Sequence, residues 1–378
     1  MDEIEGVCDP RFDAVRDILA NQLDTGADLG ASVAVYLHGE PVVDIWGGWA
    51  DSEKTTRWER DTITNVWSTT KTMTFLVALM LADRGELDFH TPVAKYWPEF
   101  AANGKDRIEV RHVMGHTSGL SGWEEPLAAE DLADWDLCTS RLAAQAPWWK
   151  PGTASGYHAL TQGFLIGEIV RRITGESLGT FFAREVAGPL GADFHIGLPE
   201  SEDDRVSNVI PPPPVDMESF EGPIPELMLK TFMNPLIDAT LAHHEWWRRA
   251  EIPAANGQGN ARSVAAVQSI IAGRGEARGV RLLSPTGTEV VFELQADGID
   301  LVLGVRERMG MGYGLTNPPE MPLGRRACYW NGFGGSLIVM DQETELTVCY
   351  VMNLMDTGIT GDPRGTDILA AAQAAAAS

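Results

Sequence analysis

A serine and a lysine three residues apart stand in front of the most apolar helical segment of the chain. Ser68 and Lys71 lie in the segment WSTTK, residues 67–71, and residues 73–82 are almost entirely apolar. Side chains three residues apart share a helix face, and a helix N-terminus favours developing negative charge. An apolar surrounding lowers the pKa of a lysine, so Lys71 could accept the proton of a nucleophilic Ser68. A serine cap beside a solvated lysine is the alternative, but the following helix is too apolar for a surface helix.

The elements that would position this pair are strands at both ends of the chain and helices in the middle. Apolar runs bounded by turn residues predict five strands: 31–37, 41–46, 327–331, 336–340 and 345–351. Helices are predicted over 9–25 and from Asp367 onward, and the periodic segments of the middle are helical as well. The economical arrangement is an α+β fold, in which one antiparallel sheet, flanked by terminal helices, receives strands from both ends. We therefore expect a sheet domain made of 1–64 and 271–378, with a mainly helical lobe, 65–270, inserted between them.

Several spaced motifs resemble a known family when they are taken in order. The WSTTK segment is followed by VMGHTSGL at residues 113–120, by Tyr157 in PGTASGYHA, and by WNGFGGS at residues 330–336. This order resembles the serine β-lactamase-related superfamily, and within it the class C branch and its relatives, the family VIII carboxylesterases. The resemblance covers nearly the whole chain and implies a β-lactamase/penicillin-binding-protein-like fold, which is much more specific than one motif alone.

The resemblance also implies roles for residues outside the serine–lysine pair. Tyr157 would approach Ser68 and share proton transfer with Lys71, although it could instead be a core tyrosine. The backbone N–H groups of Ser68 and Phe333 would form an oxyanion hole. Four residues are candidates for the substrate pocket: Trp330, Asn331, Gly332 and His158. Gly332 suits a strand whose backbone approaches a ligand, or a bulge, and His158 could instead be solvated at a helix start.

Two departures from the family pattern bear on the substrate. Where β-lactamases have a lysine that attracts the substrate carboxylate, this chain has Trp330, and where the family has asparagine after tyrosine, it has Ala159. Both changes remove polar groups that recognise penicillins and cephalosporins, so we expect a serine carboxylesterase acting on small esters. The alternatives within the superfamily are a β-lactamase, an amidase or D-aminopeptidase, and an acyltransferase. A non-catalytic binding protein is less consistent with the retention of Ser68, Lys71 and Tyr157.

Three other candidates for chemistry have simpler explanations. Ser177 lies in GESLG, which fits the nucleophile elbow of α/β-hydrolases, but a helix precedes it where that motif requires a strand. Gly175 is therefore expected to end one helix and Ser177 to cap the next. His116 is expected to support a turn beside the site, and the pair His243 and His244 lacks the carboxylate spacing of a metal site.

Composition limits the partners. The formal net charge is −25, from 29 basic and 54 acidic residues, which argues against nucleic acid or an anionic membrane surface. The four cysteines show no metal-ligand spacing, and the acidic start lacks a signal peptide's basic and apolar regions. We therefore expect a cytoplasmic enzyme with free thiols, no metal, no cofactor and a small-molecule ester as its substrate. Neither the oligomeric state nor the path of residues 197–240 follows from the sequence.

Overall fold

A computed structural model describes residues 4–213, 224–319, 321–358 and 361–378. The strands are β1 (Glu5–Cys8), β2 (Gly30–Leu37), β3 (Glu40–Gly48), β4 (Ile63–Asn65), β5 (Val206–Ser207), β6 (Gln258–Gly259), β7 (Glu276–Ala277), β8 (Val280–Arg281), β9 (Ala296–Ile299), β10 (Arg306–Met309), β11 (Gly314–Leu315), β12 (Ala327–Asn331), β13 (Leu337–Asp341) and β14 (Leu346–Met352). The α-helices are α1 (Asp13–Thr25), α2 (Lys71–Asp83), α3 (Val110–Met114), α4 (Trp135–Ala144), α5 (Thr161–Thr174), α6 (Leu178–Phe182), α7 (Gly188–Leu190), α8 (Glu226–Phe232), α9 (Glu245–Arg249), α10 (Ala261–Ala272), α11 (Pro285–Glu289) and α12 (Pro363–Ala376).

One antiparallel sheet joins the two ends of the chain. Its strand order is β1-β3-β2-β14-β13-β12-β11-β10-β9. The first hairpin meets the last strand where β2 pairs with β14, in a register that runs from Leu37 opposite Leu346 to Ala31 opposite Met352. The α+β fold expected from the sequence, with strands supplied by both ends, is confirmed.

The strand predicted over 327–331 coincides with β12, and the other four predicted strands differ from the observed ones by one or two residues at their ends. Within this sheet, β1 and the strands β9 to β11 were not predicted. They are short, and the segment Arg306–Met309 has three charged residues followed by a single apolar one, so it lacks the apolar run that marked the other strands. The last helix begins at Pro363, capped by Asp362, four residues before the predicted start.

Helices cover the central strands. Every residue of β2, β13 and β14 is buried, because α10 packs on these three strands, α12 packs on β14, and α1 packs on α12 and β2. Strands covered on both faces are expected to be apolar throughout rather than alternating. Helix α10 spans the predicted boundary at residue 270, and the division into two domains stays a prediction.

Helix α2 lies in the interior of the molecule. All its residues from Lys71 to Leu81 are buried, and it contacts α5, α6, α10 and α11. Phe75 in its middle packs edge-on against Tyr313 and Trp330. A helix that is apolar all round is a buried helix, so the alternative of a surface helix with a solvated lysine is excluded. No helix in the described ranges is long and apolar enough to cross a bilayer.

Candidate active site

Ser68 lies in a 3-10 turn, Trp67–Thr70, that leads directly into α2. Trp67 has a φ of 49°, in the left-handed region that non-glycine residues rarely adopt. Its indole ring packs against Trp247 and Phe333. These contacts hold the strained turn, which is the kind of backbone that clusters at active sites.

Lys71 is fully buried at the start of α2, with its Nζ 3.1 Å from Ser68 Oγ. The same Nζ donates to the carbonyl oxygens of Ala159 at 2.7 Å and Ala254 at 2.9 Å. Burial lowers the pKa of Lys71 well below its ordinary value. A neutral amine has two N–H groups and one lone pair. The two carbonyls can accept both N–H groups, which leaves the lone pair for the Ser68 hydroxyl.

Tyr157 approaches Ser68 from the loop before α5. Its hydroxyl donates to Ser68 Oγ at 2.7 Å, and Lys71 Nζ lies 4.9 Å from its ring centre. Burial raises the pKa of Tyr157, and the nearby carboxylates of Asp300 and Glu307 raise it further. At neutral pH the side chain is therefore a phenol, so in this environment it is suited to donating a proton rather than to removing one.

The backbone of Tyr157 is held by a carboxylate that the sequence did not single out. Asp300 Oδ1 accepts hydrogen bonds from the N–H groups of Tyr157 at 3.0 Å, Val302 at 2.9 Å and Leu303 at 3.0 Å. Asp300 is fully buried. No motif surrounds this residue, and only the fold brings it beside Tyr157.

Phe333 lies in the tight loop that follows β12. Within the described ranges, its N–H donates to no protein acceptor. Gly332 before it donates to the Ser336 carbonyl oxygen at 2.8 Å, and a Cβ at Gly332 would lie 2.3 Å from the carbonyl oxygen of Val66. Glycine at 332 thus lets this loop pack against the turn that carries Ser68.

Ser68 and Tyr157 open into one cavity of about 250 Å³. Most of the side chains that line it are aromatic or aliphatic: Trp67, Tyr157, Phe232, Tyr329, Trp330, Phe333, Leu160, Ile237, Leu303 and Met309. Asn331 and Thr357 add polar groups, and Glu307 adds a carboxyl group. A mostly apolar cleft with a few polar groups is typical of a site for a small molecule.

Two of the four predicted pocket residues line this cavity and two do not. Trp330 and Asn331 do. Gly332 borders Val66 instead, as described above. His158 is fully buried: its Nδ1 is 2.6 Å from the Gly156 carbonyl oxygen and its Nε2 is 2.6 Å from Ser118 Oγ. Both its suggested positions, in the pocket wall and solvated at a helix start, are therefore wrong.

The two buried histidines have defined protonation. Burial lowers the pKa of His158 to about 3 and that of His116 well below its ordinary value, so both rings are neutral. His116 Nδ1 accepts the backbone N–H of His158 at 3.0 Å, and its ring stacks on Trp330 at 5.6 Å. His116 therefore supports the loop that carries Tyr157 and the back of Trp330, in agreement with its expected structural role.

Ser177 lies at the N-terminus of α6, where its Oγ accepts the N–H of Thr180 and donates to Glu251. Gly175 ends α5 with a φ of 76°, so the capping prediction is confirmed. The four cysteines are unpaired thiols, as expected. His243 Nε2 contacts the Val209 carbonyl oxygen, and no group of three metal-ligating side chains occurs in the described part of the chain.

Three features define a class of protein: the buried helix α2, the sheet that joins the two ends of the chain, and the cluster of Ser68, Lys71 and Tyr157. The comparison with known families finds the same class. The Beta-lactamase family matches residues 15–373, and the chain belongs to this family. A family VIII carboxylesterase of known crystal structure is 40% identical and superposes with a TM-score of 0.94, over 99% of this chain and 100% of that one. The resemblance that the motifs carry is thus confirmed.

Two further relatives extend the comparison. "Esterase/beta-lactamase LipL" of Mycobacterium tuberculosis is 36% identical over 363 residues, which are 92% of this chain and 82% of that protein. A penicillin-binding protein homologue from Caulobacter crescentus is 36% identical, with a TM-score of 0.93 over 99% of this chain and 100% of the other.

Proposed function

We propose that this protein is a serine carboxylesterase that hydrolyses small esters through an acyl-enzyme on Ser68. The observation that carries the proposal is the position of Ser68 Oγ, which is 3.1 Å from Lys71 Nζ and 2.7 Å from the Tyr157 hydroxyl. Ser68 and Tyr157 line an apolar cavity, and Lys71 is fully buried beside them. A nucleophile in contact with a base, itself oriented by further groups, is the arrangement that covalent catalysis requires.

In the first half of the reaction, Ser68 Oγ attacks the ester carbonyl carbon. Neutral Lys71 takes the serine proton, and the negative charge that develops on the carbonyl oxygen is stabilised by the N–H groups of Ser68 and Phe333. The Tyr157 phenol then donates its proton to the leaving alkoxide, and the Lys71 ammonium restores it. The products are the alcohol and an ester bond between the acyl group and Ser68.

In the second half, a water molecule attacks the acyl carbon. Lys71, again neutral, removes a proton from the water, and the proton returns to Ser68 Oγ as the acid leaves. Lys71 thus serves as the base in both halves. No charged group from outside this cluster is needed, because the two carbonyls that accept from Lys71 also stabilise its ammonium form when it is transiently protonated.

The absence of a lysine at position 330 and of an amide side chain at position 159 supports ester specificity. Trp330 stacks on His116 and packs on Phe75, so it fills the position of the family's lysine with a buried ring. The carbonyl oxygen of Ala159 accepts a hydrogen bond from Lys71 Nζ. The side chain of Ala159 is a methyl group, so it offers no amide to a substrate. β-Lactamase activity is the second candidate, favoured by the double name of the Mycobacterium tuberculosis relative.

Comparing ester and lactam substrates tests the proposal. The purified protein should hydrolyse p-nitrophenyl butyrate with a higher kcat/KM than nitrocefin, and Ser68→Ala should abolish both activities. Ser177→Ala is the matched control and should retain full activity, because Ser177 caps α6 and does not line the cavity of Ser68. Faster hydrolysis of nitrocefin would make the protein a β-lactamase, and equal activity of Ser68→Ala would remove Ser68 as nucleophile.

A further inference from the structure

The cavity beside Ser68 contains one side chain whose chemistry the proposed mechanism does not use. Glu307 is the only acidic or basic residue among the described residues that line it. It lies in β10, where side chains alternate between exposed and buried. Because successive side chains of a strand point to opposite faces, Glu307 and Met309 face the cavity together, and Arg306 and Arg308 face away.

The arginines on the outer face have a partner there. Arg306 is 2.7 Å and Arg308 3.6 Å from Asp297 of the neighbouring strand β9. On the inner face, the carboxyl group of Glu307 lies in the wall of the cavity. Its effect reaches the reacting groups, since the Glu307 carboxylate helps to raise the pKa of Tyr157. Glu307 therefore influences the electrostatics of the cavity as well as its shape.

The remaining wall is suited to the opposite charge. Six aromatic side chains line the same cavity: Trp67, Tyr157, Phe232, Tyr329, Trp330 and Phe333. The faces of aromatic rings attract cations, and aromatic cages are used to recognise quaternary ammonium groups. The formal net charge of −25 adds a field that concentrates cations near the molecule. The aromatic wall, the Glu307 carboxylate and the negative net charge thus all favour a positively charged substrate.

We propose that Glu307 and the aromatic wall select esters that carry a quaternary ammonium group, such as choline esters, over neutral esters of the same shape. This inference rests on the proposed esterase function and names its substrate class. The same charge disfavours substrates that carry a carboxylate, which extends the effect of replacing lysine by Trp330.

A pair of isosteric esters tests the inference. Butyrylcholine and 3,3-dimethylbutyl butyrate differ by one charge, and the ratio of their kcat/KM values measures charge selection. We expect the wild type to favour butyrylcholine about tenfold or more, and Glu307→Gln to lower that ratio about tenfold. Glu53→Gln removes one charge from an exposed site outside the cavity and should keep the wild-type ratio. A ratio that Glu307→Gln leaves unchanged within about twofold overturns the inference.

Activity on the two esters taken together separates this inference from the proposed function. Failure of the wild type to hydrolyse either ester contradicts the esterase, and cation binding is then measured by quenching of tryptophan fluorescence with tetramethylammonium and with tert-butanol. The same two compounds, used as inhibitors of the wild type, decide the inference if Glu307→Gln does not fold. Tighter binding of tetramethylammonium supports it, and equal or weaker binding overturns it.

Discussion

The carboxylate of Asp300 accepts a hydrogen bond from the backbone N–H of Tyr157, over 3.0 Å. This contact ties the loop between β9 and β10 to the loop that carries the tyrosine. Because Asp300 also accepts from Val302 and Leu303, it makes that loop rigid and fixes the tyrosine backbone at the same time. The tyrosine hydroxyl thereby reaches Ser68 at hydrogen-bond distance.

Asp300→Ala should lower both activity and stability. Three N–H groups, two of them in buried hydrogen bonds, lose their acceptor, at about 1–3 kcal/mol for each buried group that stays unsatisfied. A small displacement of Tyr157 should reduce kcat/KM for p-nitrophenyl butyrate about a hundredfold. Asp300→Asn keeps one acceptor oxygen and should retain more of both. Kinetics and urea unfolding of the two variants measure this, and wild-type turnover by Asp300→Ala would show that the contact does not position Tyr157.

The pH dependence of stability should reveal the buried amine of Lys71. Its pKa is lowered in the folded protein, so the unfolded chain binds one more proton between the folded pKa and the ordinary lysine value of 10.5. Lys71 therefore destabilises the fold at neutral pH, and this effect fades as pH rises toward 10.5. The free energy of unfolding of Lys71→Met minus that of the wild type should fall by up to about 1.4 kcal/mol per pH unit in this window.

Urea unfolding of both proteins at several pH values between about 7 and 9.5 measures this difference. Lys71→Met should also lose ester hydrolysis, since it has no base. In the wild type, kcat/KM should decline with acidification, because protonation of Lys71 removes the lone pair that accepts the serine proton. A difference in unfolding free energy that does not change with pH would mean that the lysine is already charged in the folded protein.

Gly332→Ala should impair the site through the backbone. The new Cβ would lie 2.3 Å from the Val66 carbonyl oxygen and 2.2 Å from Ser336 Oγ, so either the loop of Phe333 or the turn of Ser68 must move. We expect a loss of about 1–3 kcal/mol in the free energy of unfolding together with a large loss of kcat. Gly298→Ala is a matched control in β9, because nothing lies within 4 Å of a Cβ there. Equal effects of both substitutions would contradict this account.

Arg364 should act on activity from the last helix. It donates to the carbonyl oxygens of Gly334 and Leu354, each at 2.9 Å, and pairs with Asp28 and Asp362. Arg364→Ala should lower kcat more than it raises KM, since the loop that presents Phe333 loses a support. Arg364→Lys keeps a donor and should recover part of the rate. Circular dichroism is the control for folding, and an Arg364→Ala enzyme with unchanged kcat would limit Arg364 to a role in stability.

The sequence predicted the parts of the site that depend on local pattern. Ser68 and Lys71 were found because they are three residues apart and precede an almost entirely apolar segment. The sheet was found because its central strands are largely apolar. Asp300 and Glu307 were missed because Asp300 lies in a turn and Glu307 in a short polar strand, and neither belongs to a motif. Only the packing of the folded chain brings them beside Tyr157 and the cavity. His158 was misplaced for a related reason: its backbone follows Tyr157, but its ring turns inward to Ser118, a contact set by tertiary packing.

The most direct test of the central claim is covalent labelling of the nucleophile. A p-nitrophenyl phosphonate should inactivate the protein, release one equivalent of p-nitrophenol and add its phosphonyl mass to the peptide that contains Ser68. The Ser68→Ala variant should take up no label and hydrolyse no p-nitrophenyl butyrate, while Ser177→Ala should be labelled like the wild type. Labelling of a different residue, or ester turnover by Ser68→Ala equal to that of the wild type, would contradict an acyl-enzyme on Ser68.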